Sequence, residues 1–399
     1  MPISGGTGLR KIFSLSLAAA VLATAVAAQA PAAAESVDDA FFTPPNPLPA
    51  GAPGDVVRVR TSEAGAITST VRAWQVMYHS TNVLGQPNVV TGMILVPRSV
   101  DPSTAPIVSF ASGTYGPAFR CAPSEMERIG ASYEQPAIND MLRAGYAVVM
   151  TDYEGYHPDP KTTYITGRSE GHAVIDIVRA AQRMPETGLS KNAKVVFRGY
   201  SQGGGASLWA AQLQPEYAPE LNLVGAVGGG VPADLVQVSL QLDGKLGFGF
   251  LAYSLIGLDN AYAELDLGKY LNDAGRTEFA RMQREACTLE LLLDYRGKRL
   301  SEYTTSSPVL TPPWLARVQE NKLGGTAIRV PVHEYHGTRD DIVDFAQHKA
   351  LRDTYCKAGV TVDWKTYDTD HITGVYLGNA GAAAFIADRF AGRPATSNC

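Results

Sequence analysis

The sequence lacks the marks of several large classes of protein. Its 34 Lys and Arg are scattered among 39 Asp and Glu, for a net charge of −5. With no basic block there is no footprint for nucleic acid. Four cysteines occur in 399 residues, none in Cys-x-x-Cys or at metal-ligand spacing. No Gly-x-Gly-x-x-Gly follows a strand and no phosphate loop is present, so a nucleotide cofactor is unsupported. His333-Glu334-Tyr335-His336 looks like the zinc motif His-Glu-x-x-His but is one residue short. On a strand its two histidines would point to opposite faces. No metal or other cofactor is expected. No apolar run reaches the roughly 20 residues that span a bilayer.

The N-terminus does carry a shorter run. Arg10 and Lys11 precede an Ala/Leu-rich stretch over residues 12–28, and small residues follow up to Ala32-Ala33-Ala34. This pattern predicts a secretory signal peptide over 1–34, cut after Ala34 in preference to Ala30, which Pro31 follows. The competing reading is an N-terminal anchor helix. The mature chain is expected to be exported, extracellular or periplasmic, with no transmembrane segment. In an oxidising compartment the even cysteine count favours two disulfides among Cys121, Cys287, Cys356 and Cys399. Three connectivities are open on this basis.

Beyond the signal peptide, residues 35–55 read as an extended arm rich in Pro, Gly and Ala. Strand-like segments follow at Val56–Thr61, Val71–His79 and Val89–Val96. From Ile107 onward buried-type strands alternate with helical patterns, the strands at Ile107–Ala111, Tyr146–Thr151, Val195–Phe197, Leu223–Val227, Val330–Tyr335 and Val362–Thr366. Helices are expected at Ala173–Met184, Ala206–Leu213, Ile342–Ala358 and Val375–Phe390. This alternation predicts an α/β fold with a mostly parallel sheet flanked by helices. Core residues are placed at 56–230 and 329–399. Between them, 231–328 shows helical periodicity without a buried-type strand and reads as an inserted cap. Within it, Gly247–Ile256 has almost no polar side chains. That segment is either a buried helix or an apolar surface facing lipid or substrate.

The pattern Gly-x-Ser-x-Gly occurs twice. At Gly199-Tyr200-Ser201-Gln202-Gly203 an apolar strand leads in and a helical segment leads out. That is the form of a nucleophile elbow, which holds a serine exposed on a tight strand-to-helix turn. The glycines are needed because side chains at both would collide. At Gly167-Arg168-Ser169-Glu170-Gly171 a polar loop leads in, and Ser169 is expected to cap the helix that follows. Ser201 is therefore the candidate nucleophile. A serine hydroxyl needs a base, usually histidine. In α/β-hydrolases the order is Ser, acid, His, with the histidine after the last core strand. Of seven histidines, His371 has that address. His333 is expected within a strand, His348 on the solvated face of a helix and His172 near a helix start. The acid should follow the preceding strand, which selects Asp340 over its neighbour Asp341. Asp344 is expected inside a helix, and Asp368 and Asp370 as loop or capping residues. Oxyanion donors are expected from the N–H of Gln202 and from the loop Ser112–Pro117, with Tyr115 preferred to Thr114.

These residues resemble the secretory lipase family. The resemblance rests on Ser112-Gly113-Thr114-Tyr115-Gly116 with Cys121-Ala122-Pro123-Ser124, on Thr151-Asp152-Tyr153-Glu154-Gly155, on Gly199–Gly204, and on Gly337–Val343 ahead of His371. It spans roughly Val71 to Phe390. It implies an α/β-hydrolase core, a helical cap between nucleophile and acid, and hydrolysis of lipid esters by Ser201, Asp340 and His371. It also implies the pairing Cys121–Cys287 and Cys356–Cys399. Tyr115 stands where many relatives carry a smaller residue, and its bulk is expected to narrow the acyl pocket. The reading is a secreted serine carboxylic-ester hydrolase of the triacylglycerol lipase type. A lipid or other ester would be its substrate, and the cap would offer a contact with the lipid–water interface. A short-chain esterase, a polyester depolymerase or a serine peptidase would use the same machinery. A non-catalytic binding protein is disfavoured by the intact Ser, Asp and His.

Overall fold

Apolar, largely β-branched runs at Val195-Val196-Phe197 and Ile107-Val108 are buried on both faces, as strands at the centre of a parallel sheet must be. The protein, seen in a computed structural model, is described over residues 40–399. The expected signal peptide 1–34 and positions 35–39 of the expected arm lie outside the described residues. Among the described residues nine strands are present: β1 Val56–Thr61, β2 Val71–Thr81, β3 Pro87–Pro97, β4 Ile107–Ala111, β5 Ala147–Tyr153, β6 Val195–Tyr200, β7 Leu223–Gly229, β8 Val332–Gly337 and β9 Val362–Tyr367. They form one sheet in the order β1-β2-β3-β5-β4-β6-β7-β8-β9. β1, β2 and β3 pair antiparallel, as do β3 and β5. From β5 to β9 the neighbours are parallel. The fold is an α/β sheet with helices on both faces.

On one face Val174, Ile177 and Val178 of the helix Gly167–Arg183, with Leu208 and Ala211 of the helix Gln202–Tyr217, pack on Ile94, Ile107 and Phe197. On the other, Ile138 and Met141 join Phe385 and Ile386 over Val108, Val148 and Val196. A separate apolar cluster belongs largely to the stretch between β7 and β8. That stretch holds helices at Leu235–Leu242, Phe248–Ala261, Asp273–Glu285, Thr288–Leu293 and Pro312–Glu320. In Phe248–Ala261, residues Phe248 to Tyr253 are all buried, as the buried-helix reading expects, and Phe250 and Leu251 also line a cavity.

Local chemistry moves several element boundaries. The helix expected from Ile342 starts at Phe345, because the Asp340 carboxylate takes the Ile342 and Val343 N–H groups in a preceding turn. Asp344 is the N-cap of that helix, its Oδ1 accepting from the Gln347 N–H. The closing helix is two, His371–Leu377 and Asn379–Phe390. The chain turns at Gly378, where a Cβ would lie 2.0 Å from the Tyr335 ring. The expectation that Ser169 caps a helix is corrected. The helix starts at Gly167, so Ser169 lies in its first turn, and its hydroxyl donates to Glu154 Oε2 at 2.6 Å. His348 is corrected too: it is fully buried, packed on Trp364 and His336.

Disulfides join Cys121 to Cys287 and Cys356 to Cys399. The first ties the loop after β4 to the helix Thr288–Leu293. The second pins the C-terminus beside β9.

Candidate active site

Parallel strands deliver their following loops to one edge, where ligands gather in open α/β sheets. Four of these loops meet. Ser201 follows β6 at once, with φ 56° and ψ −122°. A non-glycine residue at positive φ is strained. Closeness at the turn maintains it: a Cβ on Gly199 would lie 2.2 Å from the Gly203 carbonyl oxygen, and one on Gly203 1.9 Å from that of Ala111. Ser201 is also held by its N–H, which donates to Gly229 O at 2.8 Å.

The loops after β8 and β9 are stitched together by Thr338 N–H to Tyr367 O at 2.8 Å and Arg339 N–H to Thr369 O at 3.0 Å. Asp370 caps the helix that begins at His371 by accepting from Thr373 N–H. The Tyr200 hydroxyl donates to the His371 carbonyl at 2.8 Å. The result is a continuous line. His371 Nδ1 lies 2.6 Å from Asp340 Oδ2, and His371 Nε2 lies 3.0 Å from Ser201 Oγ. A carboxylate only accepts, so the Nδ1 proton points at Asp340 and Nε2 is free to accept from the serine hydroxyl. Burial works to raise the Asp340 carboxyl, but the imidazoles of His371 and His336 outweigh it and hold it well below the usual carboxylate range. Asp341 lies in the same turn but meets His371 through the backbone, its Oδ1 3.5 Å from the His371 N–H.

Gln202 opens the helix after Ser201, where backbone N–H groups and the helix dipole favour negative charge. Its side-chain amide donates to Glu170 Oε1 at 2.7 Å, and Ile165 N–H donates to the same oxygen. Burial pushes the Glu170 carboxyl up to about 7. The loop after β4 faces Gln202. Gly113 N–H is committed to Glu134 Oε2 at 2.9 Å. Burial pushes the Glu134 carboxyl up to about 8. Tyr115 is buried, stacks on Tyr133 and shares a hydrogen bond with Ser132 Oγ at 2.7 Å. Its carbonyl accepts from Thr288 N–H at 3.0 Å. Thr114 is tied by its hydroxyl to Tyr164 at 2.8 Å.

A cavity of about 530 Å³ opens over Ser201 and His371. Thr114 and Tyr115 wall one side, and Leu235, Val238, Phe250 and Leu251 another. At its mouth Leu289, Ile372 and Tyr376 are exposed. Among the described residues no cluster of His, Cys, Asp and Glu fits a metal ion.

Of the residues singled out from sequence, Ser201, Asp340 and His371 come together, with Gln202, Tyr115 and Thr114 around them. Ser169 lies outside the cavity lining. Glu170, Glu134 and His336 escaped sequence reasoning. Glu170 sits inside the second Gly-x-Ser-x-Gly pattern, and its partner is 32 residues away.

A serine at a strand end, joined through histidine to aspartate and set in the chain order Ser, Asp, His under an apolar cavity, is the arrangement of an α/β-hydrolase of the ester-cleaving class. A family model described as secretory lipase matches residues 121–398. The chain belongs to the secretory lipase family. Lipase 6 of Candida albicans is 30% identical to it, over 90% of this chain and 83% of its own. A secreted triacylglycerol lipase of Malassezia furfur is 29% identical, over 91% and 77%. A Mycobacterium tuberculosis relative that bears the name "Probable inactive lipase" is 30% identical, over 90% and 84%. Among solved structures, Candida antarctica lipase A in its closed state superposes with a TM-score of 0.82 at 25% identity, covering 90% of this chain and 87% of that one.

Proposed function

We propose that Ser201, His371 and Asp340 form a triad that cleaves acylglycerols or related carboxylic esters outside the cytoplasm. Ser201 Oγ attacks the ester carbonyl carbon as His371 Nε2 takes its proton. Asp340 keeps the imidazole in the tautomer this requires and stabilises the imidazolium. The negative oxygen of the tetrahedral intermediate is received by the N–H groups of Gln202 and Tyr115. Its collapse breaks the bond to the alcohol, which leaves with the proton from His371. Water, deprotonated by His371, then attacks the acyl-serine and releases the acid.

The observation that carries this reading is the unbroken line Ser201–His371–Asp340, with contacts of 3.0 and 2.6 Å. Because one relative bears the name "Probable inactive lipase", family membership alone would not carry it. The apolar cavity favours an acyl chain over a peptide, and the exposed Leu289, Ile372 and Tyr376 suit a lipid–water interface. Export and removal of residues 1–34 belong to this reading, as does treating 231–328 as a cap.

The test is a p-nitrophenyl ester series from C2 to C16 on wild type and Ser201→Ala. The series should show turnover in wild type and its loss in the variant. A rise in rate when a soluble ester passes into emulsion supports a lipase. No such rise, with an optimum at C2–C4, marks an esterase. Substantial turnover by Ser201→Ala overturns the triad.

A further inference from the structure

The near-match to a zinc motif supplies groups that the proposed chemistry leaves unused. Glu334 and His336 lie two apart on β8 and so share a face, both wholly buried. His336 Nε2 lies 3.0 Å from Asp340 Oδ2 and 3.0 Å from the Val343 carbonyl. Both are acceptors, so this nitrogen carries a proton. His336 Nδ1 lies 2.6 Å from His348 Nδ1. The Val231 N–H donates to His348 Nδ1 at 3.3 Å, which places the lone pair there and the shared proton on His336. Both nitrogens of His336 are then protonated, and an imidazolium faces the Asp340 carboxylate. His348 is neutral, with its proton on Nε2, which lies 3.5 Å from Glu334 Oε1 with no hydrogen bond between them. Burial acts in the same sense, pushing His348 well below its ordinary range.

Asp340 Oδ2 thus lies between two rings, His371 at 2.6 Å and His336 at 3.0 Å. Its Oδ1 takes the N–H groups of Ile342 and Val343. A buried carboxylate left without partners is costly, and one that rotates no longer aims at the imidazole. The charged and titratable groups around His336 are Asp340 and, beyond it, His371; Glu334 on β8; and His348 with Arg352 on the helix Phe345–Lys357. Phe345 meets the His336 ring edge-on, and Trp364 of β9 closes over His348.

We propose that His336 is a positioning residue: a buried imidazolium, backed by His348, that keeps Asp340 ionised and aimed at His371. This rests on the triad reading. It differs from a packing role because charge and geometry separate experimentally. Gln at 336 can reach Asp340 with an uncharged donor, whereas Phe cannot.

The experiment measures p-nitrophenyl butyrate hydrolysis against pH for wild type, His336→Gln, His336→Phe and Ser201→Ala. Rates for the His336 variants and wild type are normalised to serines titrated with a phosphonate ester. His336→Phe should lower kcat roughly tenfold to a hundredfold with KM nearly unchanged, as misaimed groups do. His336→Gln should recover most of kcat. In His336→Gln, which keeps the aim, loss of a positive charge strengthens the hold of Asp340 on protonated His371. The acid limb of kcat/KM should therefore move up by about half a pH unit or more. ¹⁵N-histidine spectra of wild type should contain a doubly protonated ring that His336→Gln removes. That measurement decides the matter even if His336→Phe fails to fold. Wild-type kcat with an unmoved acid limb in His336→Gln, or no doubly protonated ring in wild type, overturns the proposal. Turnover by Ser201→Ala would instead overturn the triad reading.

Discussion

Residues 167–171 and 199–203 share one five-residue pattern, and the chain folds them into different objects. Around Ser201 the glycines let a strand reverse into a helix, with the serine strained at positive φ. Around Ser169 the backbone is ordinary helix, and the glycines serve packing instead. A Cβ on Gly167 would lie 2.0 Å from the Trp209 indole, and one on Gly171 3.0 Å from the Ala210 nitrogen. Trp209 and Ala210 belong to the helix that Ser201 begins. The second pattern is thus a support against which the first is braced. Glu170 makes the link explicit by accepting from the side chain of Gln202. The spelling Gly-x-Ser-x-Gly records close approach of backbone, and the preceding strand decides what is approached.

Substitutions can break this comparison. The largest contrast is Ser201→Ala against Ser169→Ala. The first should lower kcat by ~10⁴-fold or more. The second should leave kcat near wild type, with a loss of about 1–2 kcal/mol in unfolding experiments from the broken bond to Glu154. Equal losses of activity would erase the distinction. Next come the glycines. Gly203→Ala forces a Cβ into the Ala111 carbonyl and should cost about 3 kcal/mol or more together with activity. Gly171→Ala should cost about 1–2 kcal/mol while the folded fraction keeps its kcat. Thermal unfolding with active-site titration separates the two. The smallest effect sharpens the link between the regions. Glu170 has its carboxyl raised from 4.5 to about 7 in the fold. Its contribution to stability is complete below 4.5 and disappears as pH rises through about 7. Glu170→Gln keeps an acceptor oxygen for both donors. Any stability it lacks relative to wild type at pH 5 should therefore shrink or reverse by pH 8. A difference that grows with pH would contradict the assignment.

The parts legible in sequence were those written locally. Val195–Phe197 announces a buried strand, and the order of Ser201, Asp340 and His371 follows from counting strands. Helix starts were harder. Ile342 and Val343 are apolar and extend a helical pattern backward, but their N–H groups are spent on Asp340. The burial of His348 had a signal. It shares spacing with Leu351 and Tyr355, one face of a helix, and all three are buried. Glu170, Glu134 and His336 had no comparable signal. A buried carboxyl or imidazole is explained by what folds against it, and periodicity does not report that.

The bond between Cys121 and Cys287 bears on where this protein can work. It lies beside two further ties across the same seam, Thr288 N–H to the Tyr115 carbonyl and the Thr288 hydroxyl to the Thr114 carbonyl. The wall that would receive the developing negative charge and the wall that would receive the fatty chain are therefore riveted at one point. Reduction would leave the two Thr288 hydrogen bonds to hold the seam alone, and any loosening there should alter turnover and chain-length choice together. An oxidising compartment, as export would supply, is where such a rivet stays closed.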